Sequence, residues 1–174
     1  GQPAELEQAN GLRAAGRAYR AIHSHPYDHA TYYPGATSMS AKLIFDPEDG
    51  TILGVQIVGR NGVDKRIDVI ATAMAGGITA PRLAELELAY APPFSSAKDP
   101  VNLLGYMAEN VQSGDCDIVA PDEVAVLRDA GWTLLDVRTE AEHARGAIEG
   151  SSNIPVDALR DHLDELRDLQ LVIY

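Results

Sequence analysis

The sequence has a single cysteine, Cys116, among 174 residues. One cysteine forms no internal disulfide, so a reducing, cytoplasmic setting is the expectation. Long apolar runs are missing too: none approaches the roughly 20 residues that a membrane-spanning helix needs. Residues 1–16 lack the apolar stretch of a signal peptide. Positive charge is scarce, with 14 Lys and Arg against 26 Asp and Glu and a net charge of −12. That balance disfavours nucleic acid and anionic membranes as partners. No G-x-G-x-x-G phosphate loop, internal repeat or low-complexity segment occurs.

What remains is the composition of a globular protein, 45% hydrophobic and 23% charged, with room for one domain or for one small domain and part of another. Charge is distributed unevenly. Residues 1–110 carry 9 basic and 12 acidic side chains, whereas residues 111–174 carry 5 and 14. A composition change near residue 112 suggests two modules.

The first module reads as α+β. A short helix is expected over 4–15, a strand over 17–24 and a loop over 25–36. The alternation of Met39, Ala41, Leu43 and Phe45 marks a strand over 38–46, and Pro47-Glu48-Asp49-Gly50 a turn into a second strand, Thr51 to Val58. Helical spacing places Ile67, Ile70, Ala71 and Met74 on one face of a helix from Val63 to Met74. A short helix over 81–88 follows, then a helix over 100–112 with Val101, Leu104 and Ala108 in register. After a linker, SGDCDI (113–118), the order becomes strand–helix alternation. Pro121 opens a helix closed by Gly131. The apolar run WTLLDV (132–137) fits a parallel strand buried on both faces. Thr139 caps a short acidic helix. An amphipathic helix carries Val156, Leu159, Leu163 and Leu166, and LVIY (171–174) starts another strand.

The most informative stretch is AYAPPFSSAKDPVN (89–102). Its tandem prolines, Pro92 and Pro93, fix φ and remove two backbone donors, giving a stiff loop that holds aromatic and hydroxyl side chains in place. Tyr90 in that loop, while neutral, can donate a hydrogen bond to a leaving thiolate or act as a general acid. Lys98 can attract a phosphate or a thiolate, or be a solvated surface lysine. His23, His25 and His29 fall close together, but no acidic or cysteine partner has ligand spacing, so no metal is expected. Cys116, in an acidic linker, reads as a bystander.

This loop, with HPYDHATYYPGA (25–36) and GVQIVGRNGVDKRIDVIATAM (54–74), resembles the dimerisation domain of the CoA-disulfide reductase and NADH oxidase branch of the flavin disulfide reductases. LLDVRTEAEH…GAIEGSSNIPV (134–156) resembles the first signature of rhodanese domains, with Gly146-Ala147-Ile148 where relatives often carry Gly-His-Ile. The resemblance implies an α+β dimerisation domain with an antiparallel sheet over 1–112, a linker over 113–118, and the first half of an α/β rhodanese-like domain over 119–174. It implies a piece of a longer, homodimeric protein that moves electrons from NAD(P)H through FAD to a CoA-type disulfide, CoA persulfide or polysulfide. FAD and NAD(P)H would then be held elsewhere in the parent protein, and the rhodanese module would carry sulfane sulfur. By resemblance, Tyr32 and Tyr90 are the tyrosines presented to the partner subunit's cysteine and substrate, with Tyr33, Pro92, Phe94 and Lys98 in the surrounding loops. Packing or interface aromatics are the alternative role for both tyrosines. Asp136 and Arg138 read as a buried structural pair. The segment alone is expected to be dimeric, colourless and inactive. Two other functions remain open, an NADH oxidase or peroxidase on the same scaffold and a free-standing dimerisation module.

Overall fold

A β-hairpin organises the first unit. Three strands, β1 (Arg20–Ser24), β2 (Met39–Phe45) and β3 (Ile52–Gly59), form an antiparallel sheet in the order β1-β2-β3. The computed structural model describes residues 11–12 and 14–174. The helix expected over 4–15 therefore lies largely outside the described residues. The chain divides into two compact units, Gly1–Asp117 and Ile118–Tyr174.

The turn between β2 and β3 is built from short carboxylates. Asp46 Oδ1 accepts the Glu48 N–H at 3.0 Å, and Asp49 Oδ1 accepts the Thr51 N–H at 2.8 Å. Gly50 closes the turn at φ 72°, a left-handed conformation open to glycine at little cost. Period-two alternation then decides what is buried. Met39, Ala41, Leu43 and Phe45 are all at most 2% exposed, and Ile22 from β1 joins them.

Helix α1 (Val63–Ala75) lies next to β3 in the chain, and helix α2 (Pro100–Ser113) packs against β1 and a 3₁₀ turn over Pro81–Glu85. The buried side chains of α1 are Arg66, Ile70 and Ala73. Of the face expected from spacing, Ile70 is buried within the unit, while Ala71 and Met74 are exposed. The inward stripe runs through an arginine, a residue that hydrophobic periodicity assigns to solvent. The short helix expected over 81–88 is a 3₁₀ turn that ends at Glu85. Asn102 Nδ2 donates to the carbonyls of Leu83 and Leu86 at 3.0 and 2.9 Å, taking up acceptors that a continuing helix would use, and Leu86 is already extended.

Helix α2 shows why its sequence is helical. Asp99 accepts from Val101 N, Asn102 returns a bond to the Asp99 N–H, and Pro100 occupies the first turn. Val101, Leu104 and Ala108 are fully buried on one face.

The second unit has a parallel sheet in the order β5-β4-β6. Strand β4 (Thr133–Asp136) lies between β5 (Ser152–Asn153) and β6 (Leu171–Ile173). Leu134, Leu135 and Asp136 are buried. Helices α3 (Val124–Asp129) and α4 (Glu140–Arg145) flank β4 in the chain. Pro121 stands in a turn ahead of α3 rather than inside it. The expected amphipathic helix over 156–166 is broken into a 3₁₀ turn over Leu159–His162 and a four-residue helix, α5 (Leu163–Leu166). Val156 and Leu163 are exposed. A helix this short is held by packing of its apolar face more than by propensity, and half of that face is unburied.

Candidate functional site: a tyrosine pair at an open groove

The loop over 25–36 and the proline loop over 89–99 meet. Tyr32 Oη and Tyr90 Oη lie 2.8 Å apart, within one hydrogen bond. Both rings are accessible, Tyr32 at 74% and Tyr90 at 49%. They line an open groove of about 480 Å³ with Pro26, Tyr27, Thr31 and Lys98. The Tyr90 phenol is pushed above its ordinary value, first by the hydrogen bond to Tyr32, then by burial and by the charge that Tyr32 carries when ionised. A phenol shifted upward stays protonated at neutral pH and remains a hydrogen-bond donor.

Lys98 reaches this groove from the far end of the proline loop, its Nζ 4.5 Å from the centre of the Tyr106 ring on α2. The site residues expected from sequence thus divide. Tyr32, Tyr90 and Lys98 share the groove. Tyr33 turns aside to meet His29 edge-on, ring centres 5.8 Å apart. Pro92 and Phe94 are not on the groove wall. Phe94 is 70% exposed. Its backbone N–H is tied to Ala91 O at 2.9 Å in a tight turn that swings the ring outward.

Sequence reasoning missed Tyr27 and Tyr106, and it missed the polar cluster behind the groove. Arg66 is 1% exposed. Its Nη2 donates to Asp99 Oδ2 at 2.9 Å and to the Asp28 carbonyl at 2.8 Å, and its Nε donates to Asp99 Oδ1 at 3.3 Å. Ser95 Oγ donates to Asp99 Oδ2 at 2.6 Å. Burial alone would raise the Asp99 carboxyl, but Ser95, the Val101 N–H and Arg66 together hold it below the usual value. The available signal was an arginine four and seven residues before the buried Ile70 and Ala73. Of the three clustered histidines, His25 Nδ1 is 3.1 Å from Ser40 Oγ and His29 Nδ1 is 2.9 Å from Asp28 Oδ2. Among the described residues, no group of three His, Cys, Asp or Glu side chains is arranged to hold a metal.

The second unit centres on Asp136, at the end of β4 and fully buried. Arg138 grips it from Nε and Nη2 at 2.9 and 2.7 Å, and His143 Nδ1 lies 2.9 Å from Oδ2. Asn153 Nδ2 donates to the Asp136 and Arg138 carbonyls, both at 2.9 Å. The pair is asymmetric rather than wholly buried, since the Arg138 side chain is 36% exposed. The Arg138 hydrogen bonds, with His143, outweigh burial and hold the Asp136 carboxyl far below its ordinary range.

The antiparallel α+β unit and the parallel α/β unit that follows it in the chain match a dimerisation domain of disulphide oxidoreductases and a rhodanese-like domain. The chain belongs to the pyridine nucleotide-disulphide oxidoreductase family through its dimerisation domain, matched over residues 6–100. Residues 120–174 match the rhodanese-like domain. It is 43% identical over 93 residues to the Coenzyme A disulfide reductase of Staphylococcus haemolyticus, covering 53% of this chain and 21% of that protein. With the Staphylococcus aureus enzyme it shares 46% identity over 81 residues, 47% of this chain and 18% of that protein. The crystal structure of reduced Bacillus anthracis CoADR-RHD superposes with a TM-score of 0.91 at 47% identity, covering 94% of this chain and 30% of that one. An NAD-dependent persulfide reductase from A. fulgidus gives 0.80 at 38%, covering 94% and 29%. The chain thus spans about a fifth of the curated relatives it matches.

The family implies FAD and a nicotinamide dinucleotide, and the helix starts to compare with the diphosphate cradle such cofactors use are those of α1 and α4, each of which follows a strand. The N-terminus of α1 is closed by Arg66, whose Nη1 donates to Gly62 O at 3.1 Å. The β4–α4 turn holds no glycine and is filled by Asp136, Arg138 and His143. Neither carries the G-x-G-x-x-G sequence of a helix start that cradles a diphosphate.

Proposed function

We propose that this chain is the dimerisation and rhodanese-like portion of a homodimeric NAD(P)H-dependent reductase of CoA-type disulfides or persulfides. Its tyrosine pair serves the partner subunit's reaction centre. The observation that carries the reading is the 2.8 Å Tyr32–Tyr90 hydrogen bond at an open groove. A neutral Tyr90, oriented by Tyr32, can donate its phenolic proton to the thiolate that leaves when an S–S bond is cleaved. Positioned acids of this kind contribute about 10²–10⁴ in rate. Overall, a persulfide RSSH and NAD(P)H with one proton give RSH, H₂S and NAD(P)⁺. A disulfide RSSR gives two RSH. The rhodanese-like unit favours sulfane sulfur as the cargo, since oxygen chemistry has no use for a sulfur carrier.

The test is NAD(P)H consumption by the complete enzyme that contains this chain, with CoA persulfide, CoA disulfide or air alone. Faster turnover with the sulfur substrates, lowered at least tenfold by Tyr90→Phe, is expected. Equal rates in air would replace this reading with an oxidase.

A further inference from the structure

Tyr32 and Tyr90 come from two loops that sit far apart in the chain, and neither loop belongs to a strand or helix. Accessible rings on such loops move freely unless something behind them fixes the backbone. Directly, the loops share a backbone hydrogen bond, Ala30 N–H to Ser95 O at 3.1 Å. Behind both lies the Arg66 guanidinium. Its Nη2 donates to the Asp28 carbonyl at 2.8 Å, four residues before Tyr32. The same nitrogen lies 3.5 Å from the Phe94 carbonyl and 3.4 Å from Ser95 Oγ, four and five residues after Tyr90. Asp99 holds the other edge of the fork, and Asp99 is itself fixed as the cap of α2.

We infer that Arg66 is the positioning residue that sets Tyr32 against Tyr90, by clamping the backbones of their two loops from one buried guanidinium. A buried arginine is costly unless its donors are met, and this one spends them on the Asp28 carbonyl in one loop and on Asp99 at the end of the other, with the Phe94 carbonyl at 3.5 Å. The planar fork reaches both oxygens of Asp99 from Nε and Nη2, the Asp28 carbonyl from Nη2 and the Gly62 carbonyl from Nη1. A lysine at this position would present three donors from a single point and would lose the bonds that Nε and Nη1 make to Asp99 Oδ1 and Gly62 O. The consequence for turnover rests on the role proposed for the tyrosines. The loop geometry does not.

The experiment uses Arg66→Lys in this chain, read by amide exchange and by the titration of Tyr90, assigned with Tyr90→Phe. Release of the loops raises Ala30 exchange at least tenfold and brings the Tyr90 midpoint down towards the ordinary value. The ladder amides of β2 and β3 stay protected. Unchanged Ala30 exchange and an unchanged Tyr90 midpoint overturn the inference. If Arg66→Lys melts the ladder as well, Asp99→Asn decides. Asparagine still caps a helix but withdraws the charge that orients Arg66, and it must loosen Ala30 or the clamp is wrong. In the complete enzyme, Arg66→Lys lowers kcat about tenfold with KM within about twofold. If Tyr90→Phe leaves turnover intact while Arg66→Lys still frees Ala30, the tyrosine role fails and the clamp stands. If Ala30 stays protected, the clamp fails whatever turnover does.

Discussion

His143 Nδ1 lies 2.9 Å from Oδ2 of Asp136, a carboxylate with no exposed surface that Arg138 also grips. Two cationic or donor groups thus converge on one buried acid at the end of β4. The Asp136 carboxyl titrates well below its ordinary value, with the Arg138 hydrogen bonds as the largest cause. A depressed native value stabilises the fold above the unfolded value of about 3.9. That contribution is lost as pH falls through the native value. Asp136→Asn should therefore lower the unfolding midpoint of the second unit at neutral pH, and the gap to the native chain should narrow below about pH 4. Trp132, the sole tryptophan, reports this directly by fluorescence. A gap that stays constant from neutral to acid pH would show that the carboxylate's charge is not what matters.

The Tyr32–Tyr90 bond makes its own prediction. Because Tyr32 is the first cause of the raised Tyr90 value, Tyr32→Phe should return Tyr90 towards about 10. Ultraviolet or NMR titration of the assigned ring measures it. No downward movement would mean that burial, not the neighbouring phenol, sets the shift.

Much of this was legible beforehand, for a physical reason. Alternation at Met39, Ala41, Leu43 and Phe45 and the turn at Asp46–Gly50 are local signals, and the structure follows them. Tandem prolines announce the stiff loop that holds Tyr90, whereas Tyr32 is reached only through the family resemblance. Arg66 was not legible, because periodicity weighs hydrophobicity and cannot foresee that two distant carbonyls will satisfy a buried guanidinium. The broken helix over 156–166 failed for the related reason that its face depends on packing rather than propensity.

Gly105 marks the closest approach of α2 to the 3₁₀ turn. A methyl group there would strike the backbone nitrogen of Ala84 and lie 2.7 Å from the Leu83 carbonyl carbon. Backbone atoms cannot step aside as a flexible side chain can. Gly105→Ala should destabilise the first unit by about 1–3 kcal/mol, the range of overpacked cores. Gly76→Ala is the control. Gly76 has φ −84° and its nearest contact is Thr72 O at 3.4 Å, so stability should change by less than about 1 kcal/mol. Thermal melts followed by circular dichroism compare the two, and equal midpoints would mean that the helix and turn can separate at no cost.

Lys98 offers the last test, because its ammonium shares the groove with the tyrosines and rests on the Tyr106 ring. If the groove receives a phosphate-bearing thiol compound, Lys98 contributes a charge contact of about 1 kcal/mol near water, or about fivefold in affinity. Lys98→Ala should then raise KM for CoA disulfide about fivefold and leave kcat nearly unchanged, the pattern of an interaction made equally in ground and transition states. An uncharged small disulfide should show no such rise, and added salt should erase the difference. Tyr106→Phe keeps the ring face and should leave KM within about twofold, since the cation rests on the π-system and not on the hydroxyl. An equal KM rise for charged and uncharged disulfides would mean that Lys98 acts by packing the groove wall, and the anionic part of the substrate would then have to be bound elsewhere.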